Sequence, residues 1–111
     1  MKYSYALKWI TQRITAFILI PSTFWFIYQC ISFKKFNYDE LQLFFQSYFN
    51  SFLFTLMMFA MLIHAKLGCE TIIQDYVKMP FLKFFLNFSL NFVVILLLFL
   101  VLLAIIKLNI I

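Results

Sequence analysis

Residues 84–106 carry no charged side chain and include the run LNFVVILLLFLVLLAII. A stretch of that length and character dissolves in a bilayer, which takes about 20 mostly apolar residues to cross. Residues 14–33 and 49–73 qualify as well, the first with Pro21 inside it. In hydrocarbon the backbone has no water to bond, so each span must be helical. The groups freed by a kinking proline are re-satisfied by neighbouring helices. The whole chain agrees with this reading: 66% of its 111 residues are hydrophobic and 12% charged, against roughly half and a quarter in soluble domains. A water-soluble domain of this size lacks the polar surface to cover itself. The expected fold is therefore all-α: one membrane domain, 1–111, a three-helix bundle with spans at about 14–33, 49–73 and 84–106.

The net charge of +5 is a topology signal in such a chain, not a nucleic-acid footprint. Lys2, Lys8, Arg13, Lys78 and Lys83 flank one side of the spans, and Lys34, Lys35 and Lys107 the other. That balance places the N-terminus inside and the C-terminus outside. No signal peptide is expected, since no small-residue cleavage site follows the first apolar segment. The 17 Phe follow an AT-rich coding sequence as readily as a packing demand, so single Phe residues carry little weight. Cys30 and Cys69 fall at different depths, and no disulfide is expected between them.

The outer loop KKFNYDELQLFFQSY has its own pattern. Asn37 can cap a helix, with Glu40 three residues on. Leu41, Phe44, Phe45 and Tyr48 then share one face, which fits a short interfacial helix running into span two.

The end of span two holds the chemistry: HAKLGCETIIQDYVK, beginning at the chain's one histidine, His64. At 100° per residue, Ala60 and Gly68 lie within about 40° of His64, and Asp75 lies on the same face about 16 Å along the axis. With Asp75 and Tyr76 at the inner interface, His64 is near the bilayer midplane. The two small residues leave room for a flat, bulky group or for another backbone. A midplane imidazole needs a partner. It is either a hydrogen-bonding group on a neighbouring helix or an axial ligand to haem iron. One His supplies one ligand, so a bis-histidine haem requires a second subunit. Lys66 and Glu70 are spaced i, i+4 on the opposite face. They read as a mutually neutralising pair that snorkels inward, rather than a proton relay. Asp75-Tyr76 reads either as an aromatic-belt tyrosine beside a solvated carboxylate or as a hydroxyl donor and proton relay for a quinone head group. Arg13, entering from the same side, can pair with Asp75, haem propionates or lipid phosphate.

These residues resemble a known family. HAKLGCETIIQDYVK is similar to the helix-two motif, roughly H-A-x-x-G, six residues, D-Y, of the small D-type membrane anchor of succinate dehydrogenase (complex II). Arg13 in QRITAF resembles that family's R-x-T-A. The resemblance implies a transmembrane anchor in the respiratory chain and tricarboxylic acid cycle, passing electrons from succinate to quinone. It implies His64 as one axial ligand of a b-type haem, Tyr76 as the donor to ubiquinone, Asp75 as the acid beside it, and Arg13 near the propionates and quinone pocket. Implied partners are a second membrane anchor (the cytochrome b subunit), an iron–sulfur subunit and a flavoprotein subunit. The implied location is the mitochondrial inner membrane or the bacterial cytoplasmic membrane. Succinate is then oxidised elsewhere, since this chain has no Gly-rich dinucleotide fingerprint and no cysteine cluster. Lys66 departs from relatives that carry a large aromatic there. A fumarate reductase anchor shares the architecture. Rivals without a cofactor are a holin-like pore and a structural accessory subunit, neither of which uses the histidine.

Overall fold

The computed structural model describes residues 5–35 and 37–110. Four helices follow in order: α1 Tyr5–Ser32, α2 Tyr38–Gln46, α3 Tyr48–Tyr76 and α4 Pro80–Ile110. Of these, α1, α3 and α4 are long and apolar enough to cross a membrane, so the two ends of the chain lie on opposite sides. All three outrun their apolar cores. By rise per residue α4 spans about 46 Å against about 30 Å of hydrocarbon, so its ends enter the headgroup layers or the helix tilts. α1 begins at Tyr5, nine residues before the apolar stretch, because Lys8 and Arg13 can run their stems along the helix and hold their charges toward water. α4 begins on Pro80, whose missing N–H would have no helical partner in the first turn. α1 passes through Pro21 unbroken.

The bundle is open. α3 packs against both α1 and α4, while no Cα of α1 lies within 8 Å of one in α4 among the described residues. Burial is correspondingly thin. The buried side chains are Thr15, Phe44, Phe45, Ser51, Met57, Ala60 and Val94; the long apolar faces of α1 and α4 point outward, as lipid permits. Helices in lipid lack a hydrophobic reason to associate, and their contacts use small residues, hydrogen bonds and close packing. Thr15, Ser51 and Ala60 among the buried set fit that rule. Cys30 and Cys69 are both free thiols.

The end of the bundle away from Tyr5, its outer end, is closed by α2, and the end that holds Tyr5 and Tyr76 is its inner end. Asn37 caps it, its side-chain oxygen accepting from the Glu40 N–H at 2.9 Å, as the spacing predicts. Phe44 and Phe45 are buried, but Tyr48 is 85% exposed and does not share their face. The reason is Ser47, whose extended backbone ends α2 and whose hydroxyl accepts from the Asn50 N–H to start α3. The periodicity breaks there. Phe44 and Phe45 join Trp25, Phe26, Phe33 and Phe54 in one aromatic cluster with ring centroids 4.9–5.9 Å apart, a favourable range for tilted and edge-on rings. The phenylalanines that composition alone discounts thus tie the outer ends of α1, α2 and α3. α4 is joined to them by Asn109, which donates to Ser51 Oγ at 2.9 Å, while Ser51 donates to the Phe45 carbonyl.

Asn109→Leu therefore costs about 0.5–1.5 kcal/mol, read as earlier denaturation of the detergent-solubilised protein. An unchanged midpoint would show that this bond carries no stability.

Candidate functional site

His64 sits two residues past the midpoint of α3, residue 62 of 48–76, or about 3 Å along the axis. It is half-buried. Its Nδ1 lies 2.9 Å from the hydroxyl of Thr15 on α1, and that hydroxyl also contacts the Gln12 carbonyl at 3.0 Å. Thr15 is 6% exposed, so the bond is sealed between the helices. The other ring nitrogen, Nε2, has no protein partner among the described residues. It is not shut in either, since Asn87 Oδ1 is the one buried side-chain polar atom without a partner among those residues. The small residues one turn to either side of His64 are packed. Ala60 is buried, and a Cβ at Gly68 would stand 3.9 Å from the Gln12 side chain. On the Gly68 side the space is thus taken by α1, the second of the two occupants that the spacing allows.

The ladder Lys8–Glu70, Gln12–Gly68, Thr15–His64 fixes the register of the antiparallel pair α1 and α3. It puts Arg13 level with residue 66, about 13 Å from the level of Asp75. Arg13 and Asp75 are not brought together, so of the three partners open to Arg13 this one is not met: α1 starts earlier than the apolar pattern indicates, and Arg13 lies well inside it. Two residues from Thr15, Arg13 is also turned about 200° around α1, away from α3. It is exposed, with its guanidinium 5.6 Å from the centroid of Trp9, within cation–π range. Asp75 and Tyr76 end α3 on the surface, Tyr76 79% exposed, and neither side chain takes a hydrogen bond or ion pair among the described residues. Of the four sequence-derived candidates, His64 is held within the bundle, Asp75 and Tyr76 form an open pair at the helix end, and Arg13 stands apart.

Over residues 3–106 the chain matches the succinate dehydrogenase/fumarate reductase transmembrane subunit family. It belongs to that family. No curated protein matches it significantly. Membership makes the chain an integral membrane subunit of an oxidoreductase complex and removes the pore-forming reading. The described residues hold no group of three or more His, Cys, Asp or Glu able to bind a metal ion.

Two features of this transmembrane subunit lie beyond the sequence reading. Glu70 pairs with Lys66 at 3.0 Å, as the i, i+4 spacing predicts, but its other oxygen meets Lys8 of α1 at 3.5 Å. The pair is thus part of the α1–α3 seam rather than a free face. Thr15 is the other. Its signal is present: in the run ITAFILIP, residues 14–21, it is the one polar side chain, facing a span with the chain's one histidine. Matching the lone polar groups of two antiparallel spans would have found it.

Proposed function

We propose that this subunit anchors a succinate:quinone oxidoreductase in the membrane, contributes one axial ligand to a b-type haem, and forms part of the quinone-reduction site at its inner surface. The observation that carries this reading is the state of His64: near mid-helix, one ring nitrogen engaged by Thr15, the other unpartnered and reachable. The residues fit the group. A ligating histidine characteristically donates its second N–H to a fixed acceptor, and a second histidine ligand would come from a partner subunit, since His64 is the chain's one histidine. A bound b-type haem supplies a one-electron redox centre. His64 would hold and orient it. Arg13 offers a cation at nearly the same depth, on the outer side of α1, for a propionate or a lipid phosphate.

The quinone site rests on Tyr76 and Asp75. Reduction of a quinone to a quinol takes two electrons and two protons at its carbonyl oxygens. The Tyr76 hydroxyl donates a hydrogen bond to one of those oxygens, which stabilises the charge that develops there. The Asp75 carboxylate, next in the chain and open to water, accepts and passes protons. Both side chains are open on the isolated subunit, so the walls of the pocket come from the second membrane anchor and the iron–sulfur subunit, beneath the flavoprotein. The basic residues flanking the spans support this end of α3 facing the matrix or cytoplasm. The same residues serve a fumarate reductase running in the opposite direction.

Three measurements test this reading. His64→Ala should lose or weaken the low-spin haem b absorbance of the assembled complex, and an unchanged spectrum and haem content would remove the ligand assignment. Tyr76→Phe deletes one hydroxyl at little change in volume. Loss of a hydrogen bond of about 0.5–1.5 kcal/mol, or more with a buried partner left unpaired, should lower quinone reductase activity several-fold to tens-fold, while succinate oxidation by a soluble dye stays near wild type. A wild-type ratio of the two activities would make Tyr76 an interfacial aromatic and nothing more. For orientation, a Met79→Cys probe in a chain whose own cysteines are replaced by serine should react with impermeant thiol reagent from the matrix or cytoplasmic side. Labelling from the opposite side alone would invert the topology.

A further inference from the structure

We infer that Thr15 is the positioning residue for His64: its hydroxyl fixes the imidazole in the Nδ1–H tautomer and holds the ring so that Nε2 presents a lone pair outward, toward an iron atom. The inference rests on the haem reading given above and adds to it the group that makes His64 a competent ligand.

The argument is a count of protons. A threonine hydroxyl has one proton and two lone pairs, and a neutral imidazole has one N–H. Thr15 Oγ1 has two neighbours, the Gln12 carbonyl at 3.0 Å and His64 Nδ1 at 2.9 Å. The carbonyl only accepts, so that contact uses the hydroxyl proton. Nδ1 must then donate to Oγ1, and Nε2 is left as the lone-pair nitrogen. The reverse assignment sets two oxygens lone pair to lone pair at 3.0 Å and strands an N–H on Nε2 with no acceptor among the described residues. In a hydrocarbon setting such a stranded donor is costly.

Orientation follows from the same contact. Threonine is stiff about χ1, and the bond to the Gln12 carbonyl, three residues back in α1, fixes it further. Thr15 is nine-tenths buried, so no water competes for the bond. The two ring nitrogens point in divergent directions, so a ring tied at Nδ1 turns Nε2 away from α1, toward the side where Nε2 is reachable. One turn to either side of His64, Ala60 is buried and Gly68 stands against the Gln12 side chain.

The test uses the assembled complex with wild-type, Thr15→Val, Thr15→Ser and His64→Ala subunits. The readouts are haem content, the low-spin haem EPR signal, and the rate of haem transfer to excess apomyoglobin. Valine keeps the shape of threonine and removes the hydroxyl; serine keeps the hydroxyl. Partners of metal-bound histidines are typically worth 10–100-fold in metal affinity, so Thr15→Val should release haem about 10–100-fold faster and shift or broaden the EPR signal. Thr15→Ser should stay close to wild type in both. Should Thr15→Val fail to assemble, Thr15→Ala removes the same hydroxyl with less bulk and is held to the same outcome. A wild-type signal and transfer rate in the hydroxyl-free variant would overturn the role of Thr15 while leaving His64 as ligand, provided His64→Ala loses the signal. Equal damage from valine and serine would also overturn it, since the hydroxyl that serine keeps would then give no protection. A wild-type signal in His64→Ala would remove the haem reading itself, and this inference with it.

Discussion

A helix already dissolved in lipid gains no hydrophobic energy by exchanging acyl chains for a neighbouring helix. What holds this chain together must therefore be something lipid cannot offer: hydrogen bonds, ion pairs and close contacts between small or flat groups. The structure places these at three levels along α3. At the inner end Glu70 is shared between Lys66 and Lys8. In the middle Thr15 meets His64. At the outer end Ser51 links Asn109 to the Phe45 carbonyl beside the aromatic cluster. α1 is tied at all three levels, at the outer one through the rings of Trp25 and Phe26, and α4 at the outer one by Asn109. Since α1 and α4 do not pack on each other, α3 is the axis on which the other two helices hang.

This arrangement also explains where a functional group can be placed. The middle level is the most desolvated, and there the interhelical bond is made by a residue with a second, unused nitrogen. The stabilising contact and the candidate ligand are the two ends of one imidazole. The inner end of α3 has a different character: Asp75 and Tyr76 lie beyond the last interhelical tie and are open, which suits residues that complete a pocket shared with other subunits. An ion pair at the α1–α3 seam separates the two regions, with Glu70 19% exposed at its side chain.

Local signals carried the fold. The apolar stretches named the three spans, Asn37 and Glu40 named the start of α2, and the i, i+4 spacing named the Lys66–Glu70 pair. Each depends on residues within a few positions of one another. Cross-helix facts were less legible. Whether Arg13 meets Asp75, one of three partners open to it, needed the register of α1 against α3, and the apolar pattern locates a span's core but not where its helix begins. Tyr48 was misassigned for a related reason: one serine, Ser47, both ends a helix and starts the next, and periodicity does not register the break. The partnership of Lys8 with Glu70, and of Thr15 with His64, required the same missing register. The aromatic cluster was hidden because 17 Phe give no contrast from which a few can stand out.

The second bond of Thr15 has a consequence for how the chain is made. α1 enters the membrane first, and its partner residue His64 is synthesised 49 positions later. During that interval a hydroxyl in mid-span would be an unsatisfied polar group in hydrocarbon. The Gln12 carbonyl, three residues away in the same helix, prevents this by taking the hydroxyl proton as soon as α1 is helical. Thr15 can therefore wait in lipid at little cost, keeping its oxygen lone pairs available. When α3 arrives, the histidine N–H finds an acceptor that is already formed and already oriented, and docking breaks no earlier bond. Order of synthesis and order of bonding coincide.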